Sequence, residues 1–237
     1  MTTFGPLTKL AGATLTATII AVGLASSTAI AGPAPYLAAT TWTVSPGGSF
    51  TGKAVTSTLE DTASGATITC KSATVTGALK SGSGLPGKGL GTIKSLTFAT
   101  CFLDGVSFSV SSGAVDWSLN AATYNPASGG KTFGNISGVH FAFSGANCSA
   151  VVDGTSGKAD NGKVKFNYTN KTSALKIPYT GGNLHVWDVV GCSGGLGGDF
   201  NDGDSVTVGT CPAVTPPQVV GPTGPVPGPA MTGPPCR

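Results

Sequence analysis

After Thr40 the apolar residues of this chain recur at every second position nearly everywhere. Val106, Phe108 and Val110 alternate with Ser107, Ser109 and Ser111, and Val115, Trp117 and Leu119 alternate with Asp116, Ser118 and Asn120. The pattern returns at Val139, Phe141 and Phe143 around His140, and at Val164, Phe166 and Tyr168 around Lys165 and Asn167. Successive strand side chains point to opposite faces, so this period sends one set inward and the other to water. Between the runs sit Ser112-Gly113, Gly129-Gly130, Asp160-Asn161-Gly162 and Gly181-Gly182-Asn183. These residues tolerate the positive φ angles that tight hairpins require. Turns spaced this way predict about ten to twelve strands, and so many short strands must close or stack to hide their edges. The expected fold is all-β: an antiparallel β-barrel or a β-sandwich, with no choice between the two available from periodicity.

The two ends read differently. Lys9 precedes an apolar run from Leu10 to Leu24, and Ala29-Ile30-Ala31 follows with small residues at the cleavage positions of a secretory signal peptide. Thr, Ala and Gly fill the run and no basic flank follows it, so a cleaved leader is expected over 1–31 rather than a lasting membrane span. The expected secreted β domain covers 32–211. From Pro212 to the end, Pro, Gly, Thr and Val recur without period, which predicts a disordered Pro/Gly-rich tail over 212–237. No cysteine closely follows the leader to carry a lipid, and no apolar run follows the tail.

Secretion sets the meaning of the cysteines, because disulfides persist outside the cytoplasm. Cys70 and Cys101 bracket one Gly-rich excursion, and Cys148 and Cys192 bracket a longer one. Sequence-local strands usually neighbour one another, so the expected staples are Cys70–Cys101 and Cys148–Cys192. Cys211 and Cys236 remain, with their pairing open. No C-x-x-C or Cys/His cluster favours a metal instead.

Composition excludes more than it selects. Charged residues make up 10% of the chain, net charge is +3 including the leader's Lys9, and Arg237 is the sole arginine. A nucleic-acid surface needs clustered Arg and Lys with interleaved aromatics, so no nucleic-acid partner is expected. Lys163 and Lys165 are alternate residues and read as the wet face of a strand.

Several motifs together resemble a known group. They are Trp42-Thr-Val-Ser-Pro-Gly-Gly48, Leu59-Glu-Asp-Thr62, Thr69-Cys-Lys-Ser72 and Gly77-Ala-Leu-Lys-Ser-Gly-Ser-Gly84. Ile136-Ser-Gly-Val-His140, Cys148-Ser-Ala-Val-Val-Asp-Gly154, Gly181-Gly-Asn-Leu-His185 and Gly191-Cys192 extend the match. The chain resembles secreted β-rich proteins, uncharacterised in activity, that occur in many copies in actinobacteria such as Streptomyces. The resemblance runs from Trp42 to Cys192, fits the two cysteine pairs above, and implies an extracellular compartment without an activity.

Catalytic constellations are sparse. His140 falls on the polar phase of its strand and reads as a solvent-facing or hydrogen-bonded histidine. Glu60 is the sole glutamate, and Glu60-Asp61 reads as a turn-solvating pair rather than two carboxylates flanking a glycosidic bond. Asp199-Phe-Asn-Asp-Gly-Asp204 gathers calcium-type oxygens at Asp199, Asn201, Asp202 and Asp204. Gly203 stands one residue early for an EF-hand and Thr210 takes the place of the closing glutamate, so an acidic loop is expected and no metal or other cofactor. Trp117 keeps phase with Val115 and Leu119 and belongs in the core. Trp187 shares a strand face with His185, and the two are the best surface candidates for ligand binding, offering stacking beside hydrogen bonding.

The leading expectation is a secreted or envelope-associated, non-catalytic structural or binding module, with a cell-wall or polysaccharide surface as partner. The alternative is a β-barrel carrier of a small apolar ligand, which a cavity above about 300 Å³ would favour. An extracellular hydrolase stands third.

Overall fold

Period-two patterning becomes strand nearly everywhere. The computed structural model describes residues 37–38, 41–113, 115–145, 147–157, 160–192, 200–215 and 219–220, with backbone alone for 37–38, 128, 211–215 and 219–220. The expected leader, Asp199 and Cys236 lie outside them. In chain order the strands begin with β1 (Leu37–Ala38), β2 (Trp42–Val44), β3 (Gly48–Asp61), β4 (Thr67–Leu79), β5 (Gly82–Leu85) and β6 (Gly91–Leu103). Next come β7 (Val106–Ser111), β8 (Trp117–Asn125), β9 (Lys131–Val139), β10 (Phe141–Gly145) and β11 (Cys148–Asp153). The last are β12 (Gly162–Thr169), β13 (Ala174–Lys176), β14 (His185–Val190), β15 (Val206–Thr215) and β16 (Val219–Val220). The chain is all-β, every pairing between these strands is antiparallel, and the described residues include no α-helix, only two 3₁₀ turns. The sixteen strands among the described residues exceed the ten to twelve expected because several are two to four residues long and carry no alternation to read.

Strand β6 is the hub. It pairs with β4 from Gly91↔Leu79 to Phe102↔Thr69, while β3 lies beyond β4 and β15 beyond β3. Its other edge is shared: Gly91–Ile93 pair with β8, and residues from Thr97 to Leu103 pair with β7. The β8 branch runs on through β9 and β12 to β13, and the β7 branch through β10 and β11 to β14. The named pairings leave this sheet open. Single backbone hydrogen bonds nonetheless reach β15 from both branches: the Thr210 amide donates to the Ile177 carbonyl at 3.2 Å, and the Val206 amide to the Leu184 carbonyl at 3.0 Å.

The inward phase packs one core that includes Trp42, Ile68, Leu103, Phe143 and Phe200, each nearly inaccessible to solvent. Trp117 is buried with Leu119, as the alternation requires. Both expected disulfides are present. Cys70 and Cys101 face each other at one register position of β4 and β6, and Cys148–Cys192 joins the start of β11 to the residue pair after β14. Two disulfides are consistent with an extracellular protein. No described helix is long and apolar enough to cross a membrane.

Strand β15 continues past the boundary expected at 211. Pro212 to Thr215 pair with β3, and Val219–Val220 pair with β2. Pro212 is accommodated because the ladder shifts register between Cys211 and Pro212, and a register shift tolerates the missing N–H.

Close packing at β9 leaves a prediction. An added Cβ at Gly134 would overlap the Asn120 carbonyl and the Phe166 ring. Gly134→Ala is therefore expected to destabilise the fold by about 2 kcal/mol in urea melts, the usual effect of forcing volume into a packed core. An unchanged midpoint would show that β8 and β9 separate freely.

Candidate functional site

Strand β14 brings His185 and Trp187 to one face, as alternation predicts, with ring centroids 6.2 Å apart. Neither side chain is fully exposed. The Trp187 indole N–H donates to the Gly154 carbonyl at 2.9 Å, and the ring lies under Gly157, where an added Cβ would approach within 3.2 Å. Trp187 thus holds the 154–157 loop with one ring face. Asp188, which follows with φ +52°, is exposed on the far side.

The His185 Nδ1 lies 3.2 Å from the Gly203 carbonyl and 3.5 Å from the Ser205 Oγ. A carbonyl only accepts, so Nδ1 carries the proton in that bond and cannot act as base toward Ser205. His185 and Ser205 instead line a cleft of about 150 Å³ with Tyr179, Thr180 and Asn183. The Tyr179 ring covers Gly209 of β15, where a Cβ would overlap it, so the cleft wall is fixed by packing. This polar concavity was not legible from strand phase, because it joins the 178–183 turn to the start of β15 across the sheet.

The acidic loop is a docked turn. Asp202 Oδ1 accepts from the Val189 amide at 2.9 Å, and Asp204 Oδ2 accepts from the Asn201 amide at 2.9 Å and its side chain at 3.0 Å. The Gly203 amide and the Asp204 carbonyl exchange hydrogen bonds with Val186. Asp202, Gly203 and Asp204 therefore fasten the turn to β14, and Asn201 closes the turn on Asp204. The fourth expected ligand, Asp199, lies outside the described residues.

Asp61 departs from the solvating role expected of it. Glu60 is exposed but Asp61 is fully buried, and its Oδ1 accepts from the Ala63 and Ser64 amides at 2.7 and 3.1 Å. Burial holds the Asp61 pKa above the ordinary carboxylate value; the backbone hydrogen bonds oppose this and the neighbouring Asp204 charge adds to it.

The densest polar constellation gathers His140, between β9 and β10, with Asp153 and Asp160. Their ligating atoms lie within 4.8 Å of one another, and this is the one such group of three among the described residues. Asp153 is fully buried and accepts four hydrogen bonds: Gly154 N–H at 2.6 Å, Asn161 N–H at 3.0 Å, Asp160 N–H at 3.1 Å and His140 Nδ1 at 3.1 Å. Desolvation alone would raise its pKa; the hydrogen bonds from Gly154, His140, Asn161 and Asp160 together outweigh it and hold the pKa below the ordinary value. The arrangement is a loop anchor in which the histidine is one of four donors. Sequence reading placed His140 correctly on the polar phase but missed its partner, because thirteen residues separate the two and only the β10–β11 hairpin brings them together.

The inward faces of both the hub strands and the β8 branch enclose a second concavity, a cavity of about 120 Å³ lined almost wholly by apolar side chains. No family model matches this chain, and no curated protein or solved structure is significantly similar to it.

Proposed function

We propose that this chain is a secreted or envelope-associated, non-catalytic binding module that contacts a polysaccharide surface through the cleft at His185. The observation that carries the reading is the cleft itself: Thr180, Asn183, His185 and Ser205 converge on one concavity with the Tyr179 ring at its wall, and the Trp187 ring lies next to His185. Sugar hydroxyls need such neutral donors and acceptors, and an aromatic face suits the apolar face of a pyranose. His140, Asp153 and Asp202, groups that a hydrolase would use, are engaged in holding loops, which favours contact over turnover. A leader, two disulfides and the likeness to actinobacterial secreted proteins support an extracellular setting.

Co-sedimentation of the secreted chain with insoluble cell-wall polysaccharide tests the reading. Wild type is expected in the pellet. His185→Ala is expected to weaken binding about tenfold, ~1.4 kcal/mol, with a thermal midpoint close to wild type. Equal sedimentation of the two proteins, or release of soluble sugar during the assay, would overturn it.

A further inference from the structure

We propose that the apolar cavity is a second binding site, for a small neutral molecule with a benzene-sized apolar body and one hydrogen-bonding group. Val75, Leu96, Phe98, Phe141, Phe166 and Leu175 are among its walls, contributed by strands on both sides of β6. Among the described residues no Lys, Arg, His, Asp or Glu lines it, so an ion entering would lose hydration without gaining a counter-charge. Its volume, about 120 Å³, falls short of the ~300 Å³ expected of a pocket for drug-sized ligands. It approaches the ~150 Å³ of an apolar cavity that stays dry and accepts benzene.

Two buried hydroxyls on opposite walls each offer the polar end of the ligand a partner. Ser57 of β3 and Thr132 of β9 both line the cavity, are 3% and 1% exposed, and have no protein hydrogen-bond partner for Oγ or Oγ1. A buried hydroxyl without a partner is unfavourable, so such groups signal either bound water or a ligand atom. Strand order sets them on opposite walls: from β3 the pairings reach β9 through β4, β6 and β8 on one side, and through β15, the Thr210–Ile177 bond, β13 and β12 on the other. Ser57 pairs with Thr210, whose amide bonds Ile177 just beyond β13; β13 pairs with β12, and Tyr168 of β12 pairs with Thr132. A ligand hydroxyl or carbonyl would meet one of the two, while the rest of the molecule displaces nothing polar.

Phenol and toluene differ by a hydroxyl in place of a methyl, and benzoate adds a charge. Methyl-resolved NMR titration of the full secreted chain, disulfides intact, with each of the three separates the possibilities. Phenol is expected to shift the Ile136 and Leu175 methyls at about tenfold lower concentration than toluene, and benzoate to leave them unmoved. Thr132→Val keeps the side-chain shape and removes the hydroxyl; Ser57→Ala removes the other with a smaller change. At least one of the two variants is expected to reduce the preference for phenol while toluene binding persists, and the toluene response itself reports that the variant is folded. If neither phenol nor toluene moves those methyls at millimolar concentration, the cavity is not a ligand site. Equal binding of the two by wild type would mean that the hydroxyls hold water only, and preferential binding of benzoate would overturn the neutral class.

Discussion

Asp153→Ala is expected to destabilise the fold by about 4 kcal/mol, because it strips three backbone amides and the His140 ring of their shared acceptor in a fully buried position. Asp153→Asn is expected to be nearly as damaging, since an amide presents two donors where the site already supplies four. The contrast is Asp61→Asn. Asn retains an oxygen for the Ala63 and Ser64 amides and offers an N–H toward Asp204, so little loss is expected at neutral pH. Urea melts of the three variants at neutral pH would rank them, and an Asp153→Ala midpoint equal to wild type would show that the 154–161 loop is held by something else.

The same two carboxylates give opposite pH trends. The folded pKa of Asp153 lies below its unfolded value, so its contribution is complete above about pH 4 and is lost as pH falls through the folded pKa. Asp61 has a raised folded pKa, so its charge is a penalty at neutral pH that is relieved as pH falls through that raised value. Stability of the wild type is therefore expected to rise slightly on mild acidification and then drop steeply below about pH 4. Asp61→Asn should lack the rise and keep the drop.

Removing Cys148–Cys192 by paired Cys→Ala substitution is expected to lower stability by about 4 kcal/mol, which for a domain of this size is a fall of about 10 °C in Tm. The bridged residues are 44 apart, so the bond removes much of the unfolded chain's freedom, and in the folded state it ties the end of β14 to β11. Cys70–Cys101, spanning 31 residues, is expected to contribute slightly less, and it joins strands that are hydrogen-bonded along their length in any case. Scanning calorimetry of each double variant measures both. Midpoints within a degree or two of wild type would mean that the staples confer resistance to proteolysis rather than equilibrium stability.

Strand identity was legible because alternation is a local property. Val106–Ser111 and Gly162–Thr169 are strands where the serine and lysine phases said they would be, and Trp117 is buried with its phase; the run around His140 instead divides, with β9 ending at Val139 and β10 beginning at Phe141. The disulfides were legible for a related reason: each bracket closes over strands that are near one another in sequence. The extension of β15 to Thr215 was not, since a proline-rich composition hides a strand whose proline sits at a register shift.

The sequence by itself determined that this chain is all-β, that its strands are antiparallel, and how four of its cysteines pair. Those properties follow from the two-residue period and from short separations along the chain. Tertiary structure alone decided the His140–Asp153 anchor, the His185–Ser205 cleft and the hydroxyls facing the apolar cavity. Each depends on which strands become neighbours and in what register, and a register of one residue exchanges every inward side chain for an outward one.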